Sequence, residues 1–111
     1  MRRPGRSIRR DGKPDPDLLV RAIWNRLWPR DPFPRGWTAR WRSLPEAYGY
    51  CDFAKREILL CDRLPDDGVA LTLTVCHELL HLRLGENVDH GLGFDALERE
   101  LAAKLGVFSR T

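Results

Sequence analysis

The sequence predicts a small α+β domain of about three helices with a three-stranded, mainly antiparallel sheet. Three observations predict it. Apolar residues near residues 19–28 and 94–105 recur at spacings of three and four, the period of a helix face. Residues 37–61 instead carry short runs in which apolar and polar side chains alternate, the period of a strand. Between them, a long apolar segment ending near Leu84 holds His77 and His81, one helical turn apart.

In chain order, residues 1–16 carry six cations (Arg2, Arg3, Arg6, Arg9, Arg10, Lys13) against Asp11 and Asp15, a net +4. The whole chain is +3, so residues 17–111 sum to −1 and the basic character belongs to the tail. Pro4, Gly5, Gly12, Pro14 and Pro16 surround a single aliphatic side chain beyond Met1, Ile8. Such a segment buries too little to offset ordering, so a disordered basic tail over 1–16 is expected before one domain over 17–111. Its charge suits non-specific contact with nucleic-acid phosphates, with a merely solvated tail as the plain alternative.

Asp15-Pro16-Asp17 opens the first helix, with acids at the positive end of its dipole. Leu19, Val20, Ile23, Trp24, Leu27 and Trp28 form its apolar face, and Pro29 ends it. Trp37, Ala39 and Trp41 alternate with Thr38, Arg40 and Arg42 in a first strand. Tyr48–Asp52 is a second, Phe53-Ala54-Lys55 a turn, and Arg56–Cys61 a third. Short connections favour an antiparallel meander, whose edge offers free backbone groups to an extended peptide. Asp66 or Asp67 is the expected N-cap of the second helix. Its predicted buried stripe is Val69, Leu73, Cys76, Leu80 and Leu84, with Gly85 as the C-terminal cap. A loop carrying His90 leads to the last helix, Phe94 to Leu105, with Phe94, Leu97, Leu101 and Leu105 inward.

Composition sets limits. The 111 residues suit one domain, and 42% hydrophobic with 32% charged residues fits a soluble globular chain. No apolar run approaches the ~20 residues of a membrane span, and the N-terminus lacks the apolar segment of a signal peptide. Cys51, Cys61 and Cys76 form no C-x-x-C pair. Reduced thiols and a cytoplasmic location are therefore expected, with Cys76 a small buried hydrophobe.

The chemistry concentrates in His77-Glu78-Leu79-Leu80-His81. On a helix the two imidazoles share a face, and Glu78 lies about 100° round from His77, beside any ion they hold. Zinc accepts nitrogen ligands and, in catalytic sites, keeps one position open for water. A carboxylate beside that water can take its proton, the logic of H-E-x-x-H hydrolases. A third ligand is required. His90 is the first candidate, Glu98 and Glu100 are rivals, and Glu86 and Asp89 are weaker. Asp89 or Asp95 could orient a ligand imidazole. Tyr48 and Tyr50 are candidates for an oxyanion partner but read first as packing residues.

Glu57-Ile58-Leu59-Leu60, His77-Glu78-Leu79-Leu80-His81-Leu82 and His90-Gly91-Leu92-Gly93-Phe94 together resemble the SprT-like zinc metallopeptidases and their minimal zincin relatives, over roughly residues 37–105. The resemblance implies a zincin-like domain with zinc held by His77, His81 and His90, Glu78 as general base, and a protein or peptide substrate. The cysteine-rich ribbon that often follows in this family has no counterpart in these 111 residues. Two other classes stay open. One is a metal-dependent endoribonuclease or other nuclease, echoed by His81-Leu82-Arg83-Leu84-Gly85; the other is a non-catalytic, zinc-stabilised binding or regulatory module. The position of Glu78 favours peptide hydrolysis.

Overall fold

A computed structural model describes residues 13–64, 68–88 and 90–107. It contains three helices and a three-stranded mixed sheet. Helix α1 spans Pro16–Leu27 and follows the expected start signal. Asp15 is the N-cap, its carboxylate accepting from the Asp17 amide at 3.0 Å, and Pro16 occupies the first turn, where no amide partner is needed. Val20, Ile23, Trp24 and Leu27 are buried along one face, with Leu19 and Trp28 packed at its margin.

The strands are β1 (Thr38–Arg42), β2 (Gly49–Asp52) and β3 (Glu57–Cys61). Their positions match the alternation, but their order is not that of a meander. The sheet runs β1-β3-β2, with β1 parallel and β2 antiparallel to β3. The reason lies in β3. Ile58, Leu59, Leu60 and Cys61 are all buried, so this strand is apolar on both faces and takes the centre. β1 and β2 each expose one face, through Arg40, Arg42 and Tyr50, and take the edges. The connection from β1 to β2 therefore passes the end of β3 instead of forming a hairpin.

Helix α2 spans Val69–Leu84, and α3 spans Leu92–Lys104. The N-cap of α2 is Gly68, without a side-chain cap, in place of the expected Asp66 or Asp67, which lie outside the described residues. The predicted stripe is also corrected. Val69 and Leu84 are exposed, whereas Leu71, Val75, Cys76, Leu79 and Leu80 are buried. Nearly every position of this helix is apolar, so periodicity could not select the buried arc. In α3, Phe94 is inward as expected, as is Leu105 at its C-cap; Leu101 packs at the core margin, and Leu97 is exposed. Helix α2 touches α1, α3, β2 and β3, with Val75, Cys76 and Leu79 fully buried. All three cysteines are free and buried. Among the described residues no helix is long and apolar enough to cross a membrane.

Of the tail expected over 1–16, residues 1–12 lie outside the described residues, but 13–16 belong to the fold. Trp41 Nε1 donates to the Pro14 carbonyl at 3.0 Å, and the Lys13 ammonium lies 5.3 Å over the Trp41 ring. The outer edge of β1 is closed by α1. The Ala39 amide donates to Asp17 Oδ1 at 2.8 Å, and Arg21 Nη2 donates to the Trp37 carbonyl. An edge amide capped this way is removed from pairing with other chains. Asp17→Ala should cost about 1–3 kcal/mol, the worth of a charge-assisted hydrogen bond left unmade. Urea unfolding measures it, and a loss below about 0.3 kcal/mol would show that the cap contributes nothing.

Candidate metal centre

The same burial that holds α2 leaves one arc of it open, and this arc carries the functional residues. His77 and His81 stand one turn apart, with ring centroids separated by 4.9 Å. The helix ends at Gly85, whose φ of 110° lies in a region that side-chain-bearing residues rarely adopt. Its amide donates to the His81 carbonyl at 2.8 Å. The chain turns there and brings His90 back. His90 Nε2 lies 2.6 Å from His81 Nε2, and its ring is 5.0 Å from that of His77.

One nitrogen from each of His77, His81 and His90 falls within 4.8 Å of the others. Among the described residues this is the set of side chains that could hold a metal ion. Three nitrogens around a tetrahedral ion with bonds of 2.0–2.1 Å stand about 3.3 Å apart, so small side-chain rotations bring the set to that spacing. The set fits a borderline metal that accepts imidazole better than a hard cation that demands oxygen.

Two residues of α3 order these rings. Phe94 is buried, and its ring lies 5.1, 4.8 and 5.0 Å from those of His77, His81 and His90, a floor under all three. Glu98 Oε2 accepts from His77 Nδ1 at 2.9 Å. A carboxylate can only accept here, so the contact selects the Nδ1–H tautomer and leaves Nε2 for a metal. Glu98, a rival third ligand in the sequence, thus takes the orienting role for which Asp89 and Asp95 are the sequence candidates. Asp95 is exposed, as is Glu100, and Asp89 lies outside the described residues. The signal for Glu98 was its four-residue spacing from Phe94, which puts both on one face of α3.

Glu78 is only 5% exposed, packed between α2 and β2. Burial raises its carboxyl pKa, opposed by the charge of His77 and by a hydrogen bond with Cys51, with Glu98 raising it further. The Cys51 thiol donates to the Glu78 carbonyl at 3.2 Å. Burial, then the Glu78 charge, push that thiol far above its ordinary range, so it stays protonated. Tyr48 and Tyr50 do not pack in the core; they are 57% and 54% exposed. Strand alternation puts Tyr50 on the face opposite Gly49 and Cys51, yet Tyr50 and Tyr48 each line a cavity that Glu78 also lines. Two cavities, one at the start of β2 and one along it, share Gly49, His77, Glu78 and His90, so one cleft passes over the histidine cluster.

No family model, curated protein or solved structure matches the chain.

Two outcomes follow from this geometry. His90→Ala should weaken metal binding far more than Glu98→Ala, for which about 10–100-fold is the usual cost of losing an orienting acceptor. Chelator competition ranks them, and the reverse ranking would make Glu98 the ligand.

The second outcome concerns pH. Burial, then the nearby His77 and His90, lower the His81 pKa from 6.5 to about 4. Below pH 6.5 the unfolded chain takes up a proton that folded His81 refuses, so metal-free protein should lose stability from about pH 6.5 down to 4. Above that window His81 adds no pH dependence. Thermal unfolding across the range tests this, and an unchanged slope in His81→Asn would assign the effect to another group.

Proposed function

We propose that this chain is a zinc-dependent peptidase of the zincin type, with His77, His81 and His90 as ligands and Glu78 as general base. The observation that carries the reading is the buried Glu78 carboxyl, set one residue from His77 and opening on the same cleft as the three imidazoles. Zinc, when bound, would lower the pKa of a water towards ~7 and polarise the scissile carbonyl.

The chain's own residues supply the rest. A carboxyl tuned upward by burial is a better match for moving a proton near neutral pH than a solvated one. From its position it can take a proton from the attacking water and return it to the leaving amine. Glu98 keeps His77 in one tautomer throughout. The protonated Cys51 thiol beside Glu78 keeps a second negative charge out of this corner.

The edge of the sheet supports a peptide as substrate. The Cys61 amide donates to the Tyr48 carbonyl at 2.8 Å, so Tyr48, Tyr50 and Asp52 point their backbone groups at β3. The backbone groups of Gly49 and Cys51 therefore point to the open edge, beside Glu78. An extended peptide can add there as a further strand, gaining main-chain hydrogen bonds while its scissile bond lies over the histidines. Nothing comparable among the described residues favours nucleic acid at the cleft. The basic arm that could make such contact falls mainly on residues 1–12, outside the described residues.

Glu78→Gln tests the role. It keeps shape and most hydrogen bonding but cannot accept the proton. Metal content and Tm should change little, and hydrolysis of an unfolded protein should fall by about 10²–10⁴. Full wild-type proteolysis by Glu78→Gln would sink the mechanism. Chelator-sensitive loss on RNA or DNA instead of protein would make the centre a nuclease.

A further inference from the structure

The sharpest contact in the cleft is one made by an absent side chain. A Cβ built on Gly49 would stand 2.9 Å from Glu78 Oε2, 3.0 Å from Glu78 Cγ and 3.0 Å from Thr74 Cγ2. All three are at or inside the limit of ordinary carbon contacts. Conformation is not what demands glycine here. Gly49 is not among the positive-φ glycines, so alanine fits its backbone. Space is the demand, and most of the space is taken by Glu78.

The surroundings explain why side chains, Glu78 foremost, would give way before the backbone does. Cys51, the next inward position of β2, is buried and bonded to the Glu78 carbonyl, which pins strand and helix together just beside Gly49. Gly49 itself pairs in register with Leu60, which is fully buried in the core. Neither backbone can retreat cheaply. Of the crowded atoms, Oε2 ends a flexible side chain, so a methyl group at position 49 would displace the carboxyl and leave the fold standing.

We propose that Gly49 is a positioning residue for Glu78: its missing side chain lets the edge strand close on α2 until the carboxyl has one place to lie, facing the histidine cluster. The role rests on the peptidase reading only for its kinetic consequence. The placement of the carboxyl is a statement about the protein alone. Gly49 lines both cavities beside β2, together with His77, Glu78 and His90.

The test is Gly49→Ala in the full chain, alone and combined with Glu78→Gln. A crystal structure of Gly49→Ala should show the Glu78 carboxyl displaced, with His77, His81 and His90 unmoved and metal content unchanged. On an unfolded protein substrate, kcat should fall by about tenfold or more, with KM within about twofold, as for loss of an interaction made during the chemical step. In the Glu78→Gln background the same substitution should change the residual rate by less than about twofold, because the group it displaces no longer accepts protons. A carboxyl left in place in the Gly49→Ala structure would overturn the inference. So would an equal loss in both backgrounds, which would mark a general disturbance of the cleft. If the wild type hydrolyses no peptide, the peptidase reading falls, and the position of the carboxyl in Gly49→Ala still decides the role of Gly49.

Discussion

The site depends on the way α2 is buried. Val75, Cys76 and Leu79 have no exposed surface, and Leu80 has almost none. Burying one such side chain contributes about 1.5–3 kcal/mol, against about 1 kcal/mol for a typical hydrogen bond. Apolar packing therefore sets the rotation of the helix about its axis. A close-packed interior does not allow gradual rotation, so the remaining arc, with His77, Glu78 and His81, is held in one direction. Helices α1 and α3 and strands β2 and β3 supply the walls of that socket.

Polar contacts do a different job. The Asp17–Ala39 and Glu98–His77 bonds lie at the margins of the core, and the Cys51–Glu78 bond is buried within it. Each fixes the orientation of a group whose position the packing already determines. Arg83 shows the same division. Its ion pair with Asp31 at 2.7 Å is partly exposed and of small worth, yet its guanidinium lies 4.7 Å over the Trp28 ring and ties the end of α2 to the segment after α1.

What could be read in advance was local. Asp15, Pro16 and Pro29 mark the limits of α1 because capping and proline sterics act within a few residues. The histidine spacing and Gly85 are legible for the same reason. The order of the sheet was not legible from loop lengths. It follows from β3 being apolar on both faces, a cue present in Ile58-Leu59-Leu60-Cys61 but outweighed by the shortness of the connections. The buried arc of α2 was hidden because an almost uniformly apolar helix has no readable face. The roles of Glu98 and Gly49 join residues far apart in sequence, and such pairs appear only once strands and helices are placed.

The turn at Gly85 has a consequence for how an ion would enter and leave. Two of the three imidazoles are preset on one rigid helix, while His90 arrives on a short, exposed return loop. Closing so short a loop costs little entropy. An incoming ion would be caught first by the helical pair and then latched by His90, and departure would reverse that sequence. The helix would then set the specificity of capture, and the loop the residence time. The two can be tuned separately, by changes on either side of a single glycine.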